Sequence, residues 1–189
     1  PLPPWTMNIG FVSTRFSGTD GVSLESQKWA DALERLGHKC FWFSGLSDRL
    51  PKYSMVVPEA FFEHPTIRMI NNAVWNVDAI PTSIVESIEE ISKYLEANIN
   101  DFCRRFEIDL LISQNALTIP MNLPLGLALT NHIESSGIPT VAHHHDFYWE
   151  RRRFTGNGVL PYLEKAFPPS LHSITHVCLL YTSDAADEV

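Results

Sequence analysis

The side chains best suited to chemistry follow a short apolar run, Thr140-Val141-Ala142. They bring imidazole, carboxylate, guanidinium and aromatic groups into one continuous segment: His143, His144, His145, Asp146, Phe147, Tyr148, Trp149, Glu150, Arg151, Arg152 and Arg153. Imidazole donates or accepts a hydrogen bond without a permanent charge, while guanidinium and carboxylate groups bind polar and charged ligands. A charged surface corner is the alternative interpretation, but it gives the three histidines no role. The segment therefore predicts a ligand-binding or catalytic site.

The strand pattern assigns the histidines to two faces. Side chains alternate along a strand, so His143 and His145 share one face and His144 lies on the other. We expect His145 to face a crevice at the carboxyl end of its strand, and His144 to be a packing residue. The His143-x-His145 pair is also common in metal sites, so a metal-dependent hydrolase is an alternative. No second cluster of metal ligands is evident in the sequence, and we expect no bound metal.

Repeated β-α-β patterns must position this segment. Apolar runs predict strands over residues 8–13, 39–44, 53–57, 109–113, 140–142 and 172–177. Apolar residues three and four apart predict helices over residues 22–36, 84–106, 125–133 and 160–167, and proline positions divide residues 45–82 into short pieces. The order predicts an α/β fold, a Rossmann-like doubly wound parallel sheet with helices on both faces. Ligands bind beyond the carboxyl ends of the strands in such sheets.

A second candidate site lies between the first strand and the first helix, in the loop Gly18, Thr19, Asp20, Gly21 and Val22. A helix N-terminus presents N–H groups and a partial positive charge, and glycine lets an anion approach the backbone. A nucleotide phosphate would suit that position, although strand-to-helix loops often contain glycines for turn geometry alone. Neither the G-x-G-x-x-G fingerprint nor a G-K-[ST] phosphate loop is present.

Length and charge exclude several classes of protein. With 189 residues, 44% of them hydrophobic, the chain can bury the core of one domain. The formal net charge of −8 disfavours nonspecific nucleic-acid binding, and Arg151–Arg153 is too short a basic run for a nucleic-acid footprint. No apolar run reaches the ~20 residues that a transmembrane helix needs. Cys40 and Cys103 look like buried residues of a protein from a reducing compartment. We expect a cytoplasmic protein, or one peripheral at the inner membrane face.

Both ends of the chain look foreign to this domain. Residues 178–188 resemble the translated reading frame of a sequencing adapter used in transposon-based DNA libraries. They carry three acidic residues and no basic residue, so the remaining chain has a net charge of −5. Met7 opens the first strand pattern, which makes it a plausible native start. We therefore expect residues 1–6 to be a non-native or loose tail, residues 7–177 to be the domain, and residues 178–189 to be an adapter-derived artefact.

The first strand, the loop Gly18–Val22, the helix after it and the later strand running into His145-Asp146 together resemble the N-terminal half of family-4 glycosyltransferases with the GT-B fold. The resemblance covers about residues 7–177. It implies an incomplete GT-B fold, in which this acceptor-side domain faces a C-terminal domain that binds the nucleotide-sugar donor. The reaction implied is retaining and metal-independent, with the nucleotide-sugar as co-substrate and no other cofactor.

The resemblance also implies roles for individual residues. His145 and Asp146 would act at the donor sugar, and the loop Gly18–Val22 would approach the donor diphosphate. Acceptor-side candidates are Arg15, His143, Tyr148, Glu150 and Arg151. The acceptor is unknown and could be a saccharide, a lipid or a small molecule. We expect the chain alone to be inactive without the missing C-terminal domain, and a non-catalytic binding domain of the same fold is a further alternative.

Overall fold

The structure is a computed structural model that describes residues 5–179. The expectations for residues 1–4 and 180–189 lie outside that range. That part of the chain contains eight strands, in chain order β1 Asn8–Val12, β2 Arg15–Phe16, β3 Lys39–Ser44, β4 Leu46–Ser47, β5 Ser54–Val56, β6 Leu110–Gln114, β7 Thr140–His144 and β8 Ile174–Cys178, all within residues 5–179. The main sheet has the order β5-β3-β1-β6-β7-β8, and every neighbouring pair in it is parallel. β2 and β4 form a separate parallel pair.

In the described part of the chain, five α-helices connect these strands: α1 Gly21–Arg35, α2 Pro65–Val74, α3 Thr82–Arg105, α4 Leu123–Ser136 and α5 Leu160–Ala166. Local chemistry sets their ends. Asn122 caps α4 by accepting a hydrogen bond from the Leu125 N–H at 2.9 Å. Gly137 closes the same helix with a left-handed φ of 68°, and Gly37 follows α1 with a φ of 94°. Each glycine therefore supplies a positive φ directly after a helix, a backbone conformation that other residues rarely adopt.

The order of the strands creates a crevice. The chain first adds β3 and β5 on one side of β1, and then adds β6, β7 and β8 on the other side. This is the doubly wound Rossmann order, in which the direction of winding reverses between β1 and β6. Connections leave these two strands in opposite directions, so the space beyond their carboxyl ends stays open. The predicted fold class is confirmed, and the switch point marks where a site is expected.

Apolar side chains cover both faces of the sheet. On one face, Phe11 and Trp42 stack with ring centroids 4.7 Å apart beneath α1. On the other face, Phe43 and Phe102 meet edge to face at 5.6 Å beneath α3. β1 approaches α3 closely because position 10 is glycine: a Cβ there would lie 2.7 Å from the Phe102 ring. A third cluster, under α2 and α5, extends the core away from the sheet.

Two local details differ from the predictions. The buried stripe of α1 consists of Ser23, Ser26 and Ala30, whereas Leu36 of the predicted apolar stripe is 51% exposed. Small side chains let the helix pack close to the sheet, and the predicted face of this helix included Ser26 but neither Ser23 nor Ala30. β7 also continues past the predicted strand end, because His143 and His144 pair with Gln114 and Cys178. Among residues 5–179, no helix combines the length and the apolar character that crossing a bilayer requires.

Candidate functional site

A cleft of about 110 Å³ opens at the switch point, beyond the carboxyl ends of β1 and β6. We call it the switch-point cleft. Its lining combines the end of β1, the start of α1, the end of β6 and part of the loop before α2: Ser13, Thr14, Arg15, Asp20, Val22, Phe62, Gln114, Asn115, Ala116, Ile119 and Met121. Charged, amide and hydroxyl groups therefore stand beside apolar walls, as in sites that orient small polar ligands.

Gln114 connects this cleft to the histidines of β7. Its Oε1 lies 2.9 Å from His143 Nδ1 and 3.3 Å from His145 Nε2. A carbonyl oxygen only accepts, so both ring nitrogens donate, and this fixes the neutral tautomer of each ring. The Gln114 side chain is fully buried, and its Nε2 has no hydrogen-bond partner among the described residues. Gln114 lines the cleft and neither histidine does, so one amide of the lining orients both imidazoles.

His145 is half-buried at the end of β7. Its backbone N–H donates to Asn115 Oδ1 at 3.1 Å, while the Asn115 N–H donates to the His143 carbonyl at 2.9 Å. Asn115 has a left-handed φ of 62°, which asparagine tolerates better than most residues. These bonds tie the ends of β6 and β7 together. Burial lowers the pKa of His145 below its usual value, opposed by the carboxylates of Glu25, Asp146 and Asp20. The ring is therefore neutral at pH 7.

His143 lies deeper on the same face. Its ring stacks on Trp29 of α1 with centroids 4.5 Å apart, and only 1% of the residue is exposed. Trp29 is itself held by a 3.2 Å hydrogen bond from its Nε1 to Glu25. Burial and the neighbouring His145 lower the pKa of His143. The ring contacts protein on both sides, so its place is behind His145 and not at the cleft surface.

His144 occupies the opposite face, as the alternation predicts. Its Nδ1 is hydrogen-bonded to the Thr118 hydroxyl, and its Nε2 lies 2.8 Å from Nδ1 of His176. The two imidazole rings are stacked at 5.1 Å. Burial, followed by the nearby histidines, lowers the pKa of His144 to about 4. The predicted packing position of His144 is confirmed, and its polar partners are residues that sequence reasoning missed.

Asp20 and Val22 of the loop Gly18–Val22 line the cleft. The N-terminus of α1 that follows the loop is partly occupied by a side chain of the loop itself. The Asp20 carboxylate accepts hydrogen bonds from the N–H groups of Val22 and Ser23 at 3.1 and 3.2 Å. Arg15 pairs with the same carboxylate at 3.3 Å. Asp20 therefore already occupies two of the N–H groups that we expected to bind a ligand phosphate. Arg15 provides the positive charge that borders the cleft.

The remaining candidates follow β7. Arg151 forms an ion pair with Asp146, with Nε 2.5 Å from Oδ2. The Glu150 carboxylate accepts from the Phe147 N–H at 2.6 Å, and Tyr148 packs against the cluster under α2. Asp146 does not line the cleft but is linked to it through Asn115, whose Nδ2 lies 3.4 Å from Asp146 Oδ1. Tyr148 and Glu150 instead shape the loop itself.

Sequence reasoning missed Gln114, Asn115 and Trp29. A signal for the first two existed, because two amide residues end a strand that neighbours β1 in any doubly wound sheet. Trp29 gave no comparable signal, since an aromatic residue on a helix face usually indicates core. Within residues 5–179, no three His, Cys, Asp or Glu side chains form a group that could hold a metal ion. Cys40 and Cys103 are free thiols, and burial raises the pKa of each to about 12.

Fold and cleft together define the class: a Rossmann-like α/β domain with a polar cleft at its switch point. No family model matches the sequence. The chain is 30% identical over 177 residues to a mannosylglucosylglycerate synthase from Petrotoga mobilis. It is 29% identical over 182 residues to the protein of the same name from Thermotoga maritima. Each match covers 92% of this chain, which spans about 40% of the length of either relative.

One solved structure shows a more distant likeness. It is an α-glucosyltransferase in complex with UDP and a 13-mer DNA containing an HMU base. The likeness covers 91% of this chain and 38% of that protein, with a TM-score of 0.46 and 15% sequence identity.

Proposed function

We propose that this chain forms the acceptor-side half of the catalytic cleft of a glycosyltransferase. The observation that carries the proposal is the similarity to two mannosylglucosylglycerate synthases, which runs through 92% of the chain. The position of the switch-point cleft supports it, since a ligand held there would meet residues from β1, α1 and β6. The remaining length of such relatives is where we expect the donor-binding domain. Without it, the chain would lack half of the cleft and would be inactive.

The transfer would join the anomeric carbon of a nucleotide-bound sugar to an acceptor oxygen. The bond from that carbon to the diphosphate breaks, the new glycosidic bond forms, and the hydroxyl proton passes to the departing diphosphate. We propose that the anomeric configuration is retained and that no metal takes part. Positive charge develops on the sugar and negative charge on the diphosphate. Preorganised polar groups stabilise such charges in a dry cleft better than water does.

His145 is the residue we assign to the donor sugar. Its Nε2–H is turned toward Gln114, which leaves Nδ1 as a hydrogen-bond acceptor for a sugar hydroxyl. A neutral imidazole suits this place because a cationic ring would oppose the positive charge developing on the sugar. The lowered pKa of His145 favours that neutral form. Asp146 would assist from the same strand end, where Arg151 and Asn115 hold its carboxylate.

By analogy with the names of the two relatives, we propose a mannosyl residue as the group transferred and glucosylglycerate as the acceptor. A chimera tests this directly. It would join residues 7–177 to the part of the Petrotoga mobilis protein that lies beyond the region of similarity. Incubated with a nucleotide-activated mannose and glucosylglycerate, the chimera should form a product with two sugar residues on glycerate, detectable by mass spectrometry. The unfused chain should form none.

The matched control replaces His145 by alanine in the same chimera. A folded chimera that makes no glycoside with any nucleotide-mannose or nucleotide-glucose donor would contradict the proposed class. Product with a different acceptor or sugar would keep the class and correct the substrate. NMR of the product would give the anomeric configuration, so inversion would be seen at once.

A further inference from the structure

A second cleft adjoins the switch-point cleft. It has a volume of about 420 Å³ and shares two lining residues, Phe62 and Met121, with the first. We call it the arginine cleft, because Arg68 of α2 and Arg153 of the loop after β7 both line it. Neither arginine forms an ion pair within residues 5–179, whereas Arg15 and Arg151 both do. Two guanidinium groups without carboxylate partners therefore border one concavity beside the proposed site.

Specific contacts hold the two walls of the arginine cleft together. Phe154 is buried and meets Trp75 edge to face at 5.0 Å, and Arg153 lies over the Phe154 ring at 4.5 Å. The Asn76 N–H donates to the Thr155 carbonyl at 2.7 Å. On the other wall, Asn71 Nδ2 donates to the Met121 carbonyl at 2.8 Å. These bonds fix the loop against the end of α2, so the cleft exists before any ligand binds.

We propose that the arginine cleft binds the carboxylate end of the acceptor. This inference rests on the proposed function, since the glycerate group named in the relatives carries one carboxylate. A guanidinium group binds a carboxylate through two parallel hydrogen bonds, and two such groups lining one cleft select an anionic ligand over a neutral one. Trp75, which lines the cleft, adds apolar surface against which a sugar ring can pack. The acceptor would then extend from the arginine cleft into the switch-point cleft, where His145 and the donor meet its hydroxyl.

The charges that line the arginine cleft predict whether each substitution weakens or strengthens the binding of a carboxylate. Glu63 also lines it and is exposed, so its charge opposes a bound carboxylate. Removing Arg68 or Arg153 should weaken carboxylate binding, while Glu63→Gln should strengthen it. Arg152 is exposed, neighbours Arg153 in sequence and does not line the cleft, so Arg152→Gln is the matched charge control.

The experiment titrates the isotopically labelled 189-residue chain with glucosylglycerate and with its uncharged counterpart, glucosylglycerol, followed by NMR. We expect the charged probe to shift the Trp75 indole N–H resonance and to bind roughly tenfold more tightly than the neutral probe. Arg68→Gln and Arg153→Gln should each remove most of that difference, and Arg152→Gln should keep it. Arg153→Lys, which keeps the charge and the cation over Phe154, should retain part of it and checks that the loop still packs.

Equal binding of the two probes would overturn the proposal, as would a preference that survives Arg68→Gln and Arg153→Gln together. The outcome is separate from that of the function test. A chimera that glycosylates glucosylglycerol as well as glucosylglycerate would keep the transferase assignment and refute the carboxylate site. Conversely, if the 189-residue chain bound the charged probe through both arginines but the chimera had no transferase activity, the carboxylate site would stand and the transferase assignment would be refuted.

Discussion

The two faces of β7 use the same residue type for different purposes. On one face, His143 and His145 share the amide of Gln114, which lines the open switch-point cleft. On the other face, His144 is enclosed by Thr118 and His176. Burial lowers the pKa of the rings on both faces and so favours their neutral forms. Only His145, on the first face, is half-exposed and accessible to a ligand. A histidine run is therefore not one site, because strand alternation divides it into a side that contacts the lining of the cleft and a side that is packed in the fold.

The largest expected effect on stability tests the structural side. His144→Ala removes a fully buried ring and leaves the Thr118 hydroxyl and His176 without their partner. We expect a loss of about 3 kcal/mol in the free energy of unfolding, measured by urea denaturation. His172→Ala, at an exposed histidine, is the control and should change stability by less than about 0.5 kcal/mol. Equal effects would show that His144 is not packed as described.

The next effect comes from pH. His144 has a pKa of about 4 in the folded chain and about 6.5 when unfolded. The unfolded chain therefore binds more protons between these values, so stability is complete above about pH 6.5 and falls as the pH drops toward 4. His144 alone should cost about 2 kcal/mol at pH 5, and the lowered pKa values of His143 and His145 act in the same direction.

Urea denaturation at pH 7.5 and pH 5 checks this dependence. His144→Asn cannot titrate, so its stability should vary less between the two pH values than that of the unmodified chain. A chain that is equally stable at both values would contradict neutral buried imidazoles on β7.

The smallest expected effect lies on the cleft side. Asp20→Ala removes the cap of α1 and the partner of Arg15, which should cost about 1 kcal/mol. Asp20→Asn keeps an accepting oxygen and loses only the charge, so it should recover most of that loss in thermal unfolding. If both variants were equally destabilised, the ion pair with Arg15 and not the cap would hold the loop.

The same comparison explains what the sequence could predict. Strand and helix periodicity identified the fold, and the period of two separated His144 from its neighbours, because both depend on spacing along the chain. The partners could not be found this way. Gln114 is 29 residues from His143, and Thr118 is 26 residues from His144, so each contact depends on the register between β6 and β7. Pairing across a sheet is set by tertiary packing, which a single sequence reports only weakly.

The role of Asp20 shows a different limit. The loop composition indicated a helix N-terminus with available N–H groups, and the helix does begin there. Aspartate at that position is also a preferred cap, so the same residue that marks the helix start occupies two of its donors. Composition indicated where an anion could approach but not that a side chain is already there.

The central claim is that transfer depends on the cleft face of β7 and that the opposite face maintains the fold. Steady-state turnover of the chimera, measured for His145→Ala and His144→Asn on folded protein, tests it most directly. We expect His145→Ala to lower kcat by roughly a hundredfold, the range for losing one transition-state contact, with little change in donor affinity. His144→Asn should keep kcat within a few-fold and lower the melting temperature. Reversed phenotypes, or unchanged turnover in both variants, would contradict the claim.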